Sequence, residues 1–267
     1  MSNNQIDEPP LVTLLSDFGD RDVYVGIIKG VIAQINPRLT VVDLTHQIPP
    51  QDIKAARFSL MNAYAHFPIG TVHLAVVDPG VGSKRRAIAV EFAQGFLVGP
   101  DNGIFSGVLS QSLAIAAVEL TNLNYWRTPQ PSKTFHGRDI FAPVAANLAS
   151  GVPLKQLGQE IDLVSLVKLD IGNCKQTTTG VVGCIQYIDH FGNLVSNIPA
   201  SYVQNKSWYV QVAGLSVPGC ETYSQVKVGE IIALVGSHGW VEIAINCGHA
   251  HSQLQINLQD ALEVLFF

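Results

Sequence analysis

Apolar residues in the first part of the chain alternate between unbroken runs and helical spacing. The runs LVTLLS, LTVVDLT and TVHLAVV predict strands, and apolar residues at helical spacing separate the first two over residues 22–35. Pro49-Pro50 opens a second helical pattern that ends near His66, before the third strand at residues 71–78. This order of strands and helices predicts a mostly parallel sheet covered by helices.

The pattern then adds strands at residues 87–92, 96–98 and 114–120 and a helix at residues 139–149. Beyond about residue 175 no helical period remains. Short runs such as GVVGCIQYID, SWYVQVAG and GWVEIAIN alternate there with Gly, Asn, Ser and Pro turns, and the closing ALEVLFF is expected to be a final strand.

These patterns predict an α/β fold in two domains. We expect a flexible N-terminus at residues 1–10, then an α/β domain at residues 11–165 with a mostly parallel sheet flanked by helices. A smaller C-terminal all-β barrel is expected at residues 175–267.

Composition indicates the solubility, partners and cellular location to expect of this protein. The 267 residues are 14% charged with a mean hydropathy of +0.24, which favours a soluble oligomer because no run approaches the roughly 18 apolar residues of a membrane span. The net charge of −5 and the absence of long basic stretches argue against nucleic acid as a partner. The opening MSNNQIDEPP lacks the features of a signal peptide, and four widely spaced cysteines favour reduced thiols, so we expect a cytoplasmic protein.

Aspartates stand at or near the ends of four predicted strands, namely Asp17, Asp43, Asp78 and Asp101. In an open α/β sheet, ligands bind beyond the carboxyl ends of the strands. The pattern therefore predicts an acidic, glycine-lined pocket that suits a polyhydroxylated or cationic small molecule.

Three loops of this sheet edge carry candidate chemistry. Asp17 could accept two hydrogen bonds from a ribose diol, whereas Asp22 could equally cap the helix that follows it. Asp78 and Arg85 could form either a structural ion pair or part of a catalytic site, and GxxxxGK[ST] is absent, so the loop is no phosphate loop. His136 could hold a proton near neutral pH or be a bystander. Asp78, Arg85 and His136 together make the most specific proposal.

In the β domain, Asp189, Asn193, Ser237, Asn246 and Cys247 lie at predicted turns, and turn chemistry alone would explain them. His249 and His251 alternate along a predicted strand and could chelate a metal. No third ligand is placed by the sequence, so we predict no metal site.

The assembled motifs strongly resemble those of a known enzyme family. The segments SDFGDRDVYVGIIKGVI, VVDPGVGSKRR, VGPDNGIFS, TFHGRDIFAPVAANLASG, IDHFGNLVSNI and GSHGWVEIAIN occur in the order found in the adenosine-forming S-adenosylmethionine hydrolases, or hydroxide adenosyltransferases. These enzymes are related to the fluorinase and chlorinase. The resemblance covers residues 11 to 265.

The resemblance implies a hydrolase that attacks ribose C5′ of S-adenosyl-L-methionine with water or hydroxide. It also implies a homotrimer with the ligand between neighbouring subunits, and no cofactor, since S-adenosylmethionine is the substrate. The residues that match the family's functional positions are Asp78, Arg85 and His136 for water attack, Asp17 for the ribose diol, Asp189 for the methionine ammonium, Asn193 for adenine, Ser237 for the methionine carboxylate, and the backbone at Asn246 and Cys247 for the adenine edge. His238 departs from the halogenases, which have arginine there.

Two other functions fit parts of the pattern. Chlorinase-like halide transfer is disfavoured because the halogenase has tyrosine at the position of Asp78 and serine at that of Gly137, and a halide would be repelled by Asp78. A non-catalytic protein that binds S-adenosylmethionine or adenosine would keep Asp17, Asp189 and Asn193 but would not need the other three together. Methyl transfer is disfavoured because no glycine-rich turn follows the first strand.

Overall fold

The computed structural model describes residues 10–267 and divides the chain into two compact units, Met1–Leu169 and Asp170–Phe267. Of the expected flexible N-terminus, residues 1–9 lie outside the described part. The α/β class and the all-β second unit are as predicted.

Over its described residues, 10–169, the first unit contains a seven-stranded sheet and four α-helices. Its strands are β1 (Leu11–Ser16), β2 (Thr40–Thr45), β3 (Thr71–Val76), β4 (Ala87–Phe92), β5 (Gly95–Pro100), β6 (Ala114–Glu119) and β7 (Gln159–Glu160). Its helices are α1 (Tyr24–Ile35), α2 (Ile53–Tyr64), α3 (Ser106–Gln111) and α4 (Ala142–Ala149). The strand order is β2-β1-β3-β5-β4-β6-β7, and the first four of these strands run parallel. The carboxyl ends of β1, β3 and β5 therefore share one edge.

Helix α1 packs through Ile28, Val31 and Ile32, which are buried against the sheet and α4. Val23 and Ile27, which share the predicted apolar spacing, are 71% and 36% exposed. The helical period is thus confirmed, but part of the apolar stripe faces outward.

Helix α2 begins three residues later than its proline signal predicts. Asp52 caps it by accepting the backbone N–H of Ala55 at 2.9 Å, and the preceding Gln51 has a left-handed φ of 68° that no helix can include. The predicted helix at 139–149 divides into a π-helical turn, Gly137–Phe141, and α4. The short α3 was not predicted.

The second unit contains eight strands and one short helix. The strands are β8 (Lys175–Gln176), β9 (Gly180–Ile188), β10 (Leu194–Pro199), β11 (Trp208–Val212), β12 (Leu215–Pro218), β13 (Ile231–Val235), β14 (Trp240–Ile245) and β15 (Ala261–Phe266), and the helix is α5 (Ala250–Leu254). Neighbouring strands are antiparallel, in the order β12-β11-β15-β9-β10-β14-β13, and β8 pairs with β9. A bridge between Gly219 and Ala233 links the two ends of the sheet and nearly closes it around the apolar core.

His73 on β3 is a buried polar residue in the core of the first unit. It is 1% exposed, its Nδ1 lies 2.8 Å from Thr13 Oγ1, and it packs against the rings of Tyr64 and Phe67. Burial lowers the pKa of His73 from 6.5 to about 4, because the apolar surroundings disfavour the charged form. The residue is therefore neutral in the fold at neutral pH.

This burial predicts acid sensitivity. The unfolded chain takes up a proton on His73 near pH 6.5 and the folded chain only near pH 4, so stability falls as the pH drops through this window. We expect His73→Gln to flatten the decrease in the free energy of unfolding between pH 7 and pH 4.5 by roughly 2 to 3 kcal/mol, measured by urea denaturation. The exposed His66 supplies a matched control, His66→Gln, which should leave the decrease intact. An equal pH dependence in wild type and His73→Gln would contradict the assignment.

Candidate active site

A cleft of about 410 Å³ lies beyond the carboxyl ends of β1 and β3. Asp17 follows β1, Asp78 follows β3, and His136 comes from the segment that enters the π-helical turn. All three line the cleft, as expected for ligand-binding residues at this edge of an α/β sheet.

Arg85 joins Asp78 to His136. Its Nε donates to Asp78 Oδ1 at 2.8 Å, and its Nη2 donates to Asp78 Oδ2 and to His136 Nδ1, the latter at 2.7 Å. The side chains of Arg85 and Asp78 are 10% and 6% exposed, and the guanidinium carbon lies 5.1 Å from the Phe141 ring centroid. The three residues that the sequence singled out therefore form one hydrogen-bonded group.

The guanidinium fixes the tautomer of His136. Arginine is always protonated and only donates hydrogen bonds, so Nδ1 of His136 must be the acceptor and the ring proton sits on Nε2. Burial, reinforced by the charge of Arg85, lowers the pKa of His136 below its ordinary 6.5, although Asp78 and Asp139 act in the opposite direction. His136 is neutral at neutral pH and presents an N–H donor at Nε2.

Arg85 and Arg86 are consecutive but bind different aspartates. Arg86 donates from Nε at 2.9 Å and from Nη2 at 2.5 Å to Asp101 Oδ2, and it also reaches Ser165. Successive side chains at the start of a strand point to opposite sides, which explains the divergence. Asp101 also accepts the backbone N–H of Val167 at 2.9 Å, so its role here is to hold loops together.

Asp43 is likewise held by protein groups. It pairs with Lys29 at 2.5 Å and with His46 at 3.1 Å. Of the four strand-terminal aspartates, only Asp17 and Asp78 line the cleft.

Asp17 is positioned by the main chain of a neighbouring loop. Its Oδ2 accepts the backbone N–H of Gln51 at 2.8 Å, and the left-handed backbone of Gln51 makes this approach possible. Oδ1 accepts no hydrogen bond from the residues that the structure describes. Asp22 does not cap α1, because that helix begins at Tyr24 without a side-chain cap.

Aromatic rings form one wall of the cleft. Phe18, Tyr24 and Phe135 contact one another with centroid distances of 5.9, 5.9 and 5.2 Å. Beneath them Asp139, which is 1% exposed, accepts hydrogen bonds from Arg138 and from the backbone of Ser132. Asp139 thus braces this segment, and α4 begins without a side-chain cap.

In the second unit, the structure brings Asp189 and Asn193 together within one turn. Asp189 Oδ1 accepts the backbone N–H groups of Phe191 and Asn193 at 2.9 and 2.8 Å, and Oδ2 accepts Asn193 Nδ2 at 2.9 Å. Gly192 between them has φ of 81°, and a Cβ there would lie 2.1 Å from the His249 ring. The turn is therefore closely fitted to α5.

The other predicted contacts in this unit lie on exposed turns. Ser237 is exposed between β13 and β14. The backbone N–H and C=O of Asn246 are already paired with Glu230 and Gly229, whereas those of Cys247, which has φ of 54°, bind no other described residue. Of these two, Cys247 is the one whose main chain can still bind a ligand.

His249 and His251 do not alternate along a strand. His249 caps α5 by accepting the backbone N–H of Ser252 at 3.2 Å, and His251 lies within that helix. Between residues 10 and 267 no group of three His, Cys, Asp or Glu side chains is arranged to hold a metal ion. No helix in that range has the length and apolar character needed to cross a bilayer.

Sequence reasoning missed Gln51, Tyr223 and Glu242. Gln51 acts through its main chain, which leaves no signal in the residue type. Glu242 interrupts the apolar run WVEIAI on β14 and is 3% exposed, so a charge inside a buried strand was the available signal. Tyr223 donates its hydroxyl to Glu242 Oε1 at 2.6 Å.

Comparison with known proteins finds one family along most of the chain. Residues 12–158 match the family model of the SAM hydroxide adenosyltransferase N-terminal domain, and residues 183–263 match that of its C-terminal domain. The chain is 38% identical to an (R)-S-adenosyl-L-methionine hydrolase of Salinispora tropica, covering 96% of this chain and 97% of that protein. It is 38% identical to one of Thermus thermophilus, with 91% and 94% covered. A fluorinase of an Actinoplanes species is 26% identical, with 89% and 91% covered.

Two solved structures are similar to this one over almost the whole chain. An uncharacterized conserved protein from Thermotoga maritima superposes with a TM-score of 0.89 at 33% identity, over 95% of this chain and 99% of that one. A conserved hypothetical protein from Thermus thermophilus gives 0.80 at 36% identity, with the same coverage. The chain therefore belongs to the SAM hydroxide adenosyltransferase family.

Proposed function

We propose that this protein is a hydrolase that converts S-adenosyl-L-methionine and water into adenosine and L-methionine. The observation that carries the proposal is the hydrogen-bonded group of Asp78, Arg85 and His136, set in one cleft with Asp17. The hydrolases among the relatives carry names that specify the R form of the substrate, and we extend that preference to this chain.

The leaving group of this reaction needs no activation by the protein. The new bond joins the water oxygen to C5′ of the ribose, and the C5′–S bond breaks with its electron pair going to sulfur. The sulfonium thus leaves as a neutral thioether that needs no proton. Catalysis then consists of holding the nucleophile in line and stabilising its charge.

Each member of the group has a distinct proposed role. Arg85 uses Nε and Nη2 to bind Asp78 and His136. Its Nη1 donors bind no other described residue, so they are available to stabilise hydroxide. His136 Nε2–H orients the nucleophile. Asp78 keeps lone pairs beyond those used by Arg85 and accepts the proton that water loses.

Substrate binding is proposed to use the first unit of one subunit and the second unit of a neighbouring subunit. Asp17 Oδ1 accepts the ribose hydroxyls and the wall around Phe135 excludes water. The proposed contacts in the second unit are Asp189 to the methionine ammonium, Asn193 and the main chain at Cys247 to adenine, and Ser237 to the methionine carboxylate. The reaction uses no cofactor, since the sulfonium itself activates C5′.

We propose a homotrimer in which neighbouring subunits complete each site. Exposed apolar side chains support this: Tyr24, which lines the cleft, is 46% exposed, the preceding Val23 is 71% exposed, and Phe191, in the turn of Asp189, is 71% exposed. We also propose a cytoplasmic location, which the cysteine spacing supports.

The reaction is tested by its products. Incubation with each sulfonium epimer of S-adenosylmethionine in ¹⁸O-labelled water should yield adenosine labelled at the 5′ oxygen, plus methionine, with the R form preferred. The same incubation with chloride or fluoride should give no halogenated nucleoside. A 5′-halo-adenosine product would favour halide transfer, and binding without turnover would favour a non-catalytic role.

Asp78→Asn should separate chemistry from binding. The substitution preserves size but removes the base, so we expect kcat to fall about 100-fold or more while the Kd for S-adenosylmethionine changes little, measured by product analysis and calorimetry. Asp101→Asn is the matched control, because Asp101 pairs with the neighbouring Arg86 outside the cleft, and it should retain kcat. Lost affinity with unchanged kcat in Asp78→Asn would assign Asp78 to substrate binding instead.

The lowered pKa of His136 predicts the acid limit of activity. Protonation of His136 would place a second cation against Arg85 and remove the Nδ1 acceptor. We therefore expect kcat/KM to stay constant at neutral pH and to fall only below pH 6.5. Titration of the His136 ring by NMR measures this directly. Arg85→Gln should raise the pKa of His136, because the carboxylates of Asp78 and Asp139 remain, whereas Arg86→Gln should not. A wild-type ring that titrates above pH 6.5 would contradict this assignment.

A further inference from the structure

A buried polar group at the ends of β1 and β2 has no part in the proposed chemistry. His46, which follows β2, is 6% exposed and lies between two side chains. Its Nδ1 is 2.7 Å from the hydroxyl oxygen of Ser16, which is fully buried at the end of β1, and its Nε2 is 3.1 Å from Asp43 Oδ1. Burying polar groups costs free energy unless they find partners, so this arrangement is a candidate for a specific task.

The group is connected to helix α1 through Asp43. The Asp43 carboxylate, on β2, pairs with Lys29 of α1 at 2.5 Å. Both side chains are partly exposed, so solvent screens this ion pair and its direct contribution to stability is small. Its more specific effect is to hold the carboxylate that faces the His46 ring. The ring is therefore restrained at both of its nitrogens.

His46 also binds the loop after β1 through its main chain. Its carbonyl oxygen accepts the backbone N–H of Gly19 at 2.8 Å. The side chain of His46 thus binds residue 16, and its main chain binds residue 19. Asp17 lies between these two fixed points. One residue of the β2 loop therefore restrains the backbone on both sides of the carboxylate that lines the cleft.

Two further hydrogen bonds join the same pair of loops. Gln47 Nε2 donates to Asp20 Oδ2, and the backbone N–H of Gln51 donates to Asp17 Oδ2 at 2.8 Å. The loops come together because β1 and β2 are adjacent parallel strands whose carboxyl ends share one edge of the sheet. Residues 46–51 therefore support the loop after β1 along its length, and the orientation of Asp17 depends on them.

We propose that Ser16 and His46 are positioning residues that fix the backbone on both sides of Asp17, and thereby set how strongly its carboxylate discriminates a ribose diol from a sugar without hydroxyls. This inference rests on the proposed function, because it takes Asp17 as the residue that binds the ribose. Two adjacent hydroxyls must reach the carboxylate together, so a small rotation of the group would weaken at least one of the two hydrogen bonds. Both positioning residues are buried, so they act on the ligand through Asp17 and not by contact.

Adenosine and 2′,3′-dideoxyadenosine are the probes, because they differ only in the two hydroxyls and contain no sulfonium that could react. Calorimetry on the full-length protein should show that wild type binds adenosine about 50-fold more tightly. Ser16→Ala, which removes a single oxygen atom, and His46→Phe, which keeps a ring but removes both nitrogens, should each reduce the ratio of the two Kd values by about 5-fold to 10-fold. His73→Phe is the matched control, because His73 makes the same kind of buried contact with Thr13 on the same strand, and it should leave the ratio unchanged.

The ratio separates positioning from general loss of structure, because a merely structural role would weaken the binding of both nucleosides alike and leave the ratio constant. A constant ratio in Ser16→Ala and His46→Phe, an equal fall in His73→Phe, or no preference in wild type would overturn the inference even if S-adenosylmethionine is hydrolysed. Conversely, a ratio that falls as expected in a protein without turnover would support the inference and overturn the proposed hydrolysis.

Discussion

The contact between the Arg85 guanidinium and Asp78 is the interaction on which the candidate site depends. Two hydrogen bonds fix the plane of the carboxylate, and a third from Nη2 decides where the His136 ring carries its proton. One cation thereby sets both the geometry and the protonation of its two neighbours. Its own position follows from the sheet, because β3 delivers Asp78 and the approach to β4 delivers Arg85 to the same edge.

The carboxylates proposed to bind substrate follow a common principle. Asp17 is held by the main chain of Gln51 and Asp189 by the main chain of its own turn, and in each case a peptide N–H orients the oxygens. Groups restrained in this way do not have to reorganise when a cationic or hydroxylated ligand arrives. Both carboxylates are therefore oriented by the protein itself.

Much of this arrangement could be predicted from the sequence, because strand periodicity and strand-terminal acids depend on local residue order. Asp78, Arg85 and His136 were found that way and do form one group. Two features depend on tertiary contacts that local patterns do not encode. One is the short helix α5, which contains His251 and is capped by His249, so that neither histidine lies in a strand. The other is the left-handed backbone of Gln51. The same holds for Tyr223 and Glu242, which are 19 residues apart in the sequence and are in contact in the folded second unit.

The divergence of Arg85 and Arg86 restricts how this family member can evolve. Because neighbouring side chains leave the strand on opposite sides, inserting or deleting one residue close to β4 would exchange the two arginines between the cleft and the Asp101 loop. Length changes in the loop that follows Asp78 should therefore be accepted only where they leave the phase of the strand unaltered. The constraint on this loop is therefore one of register.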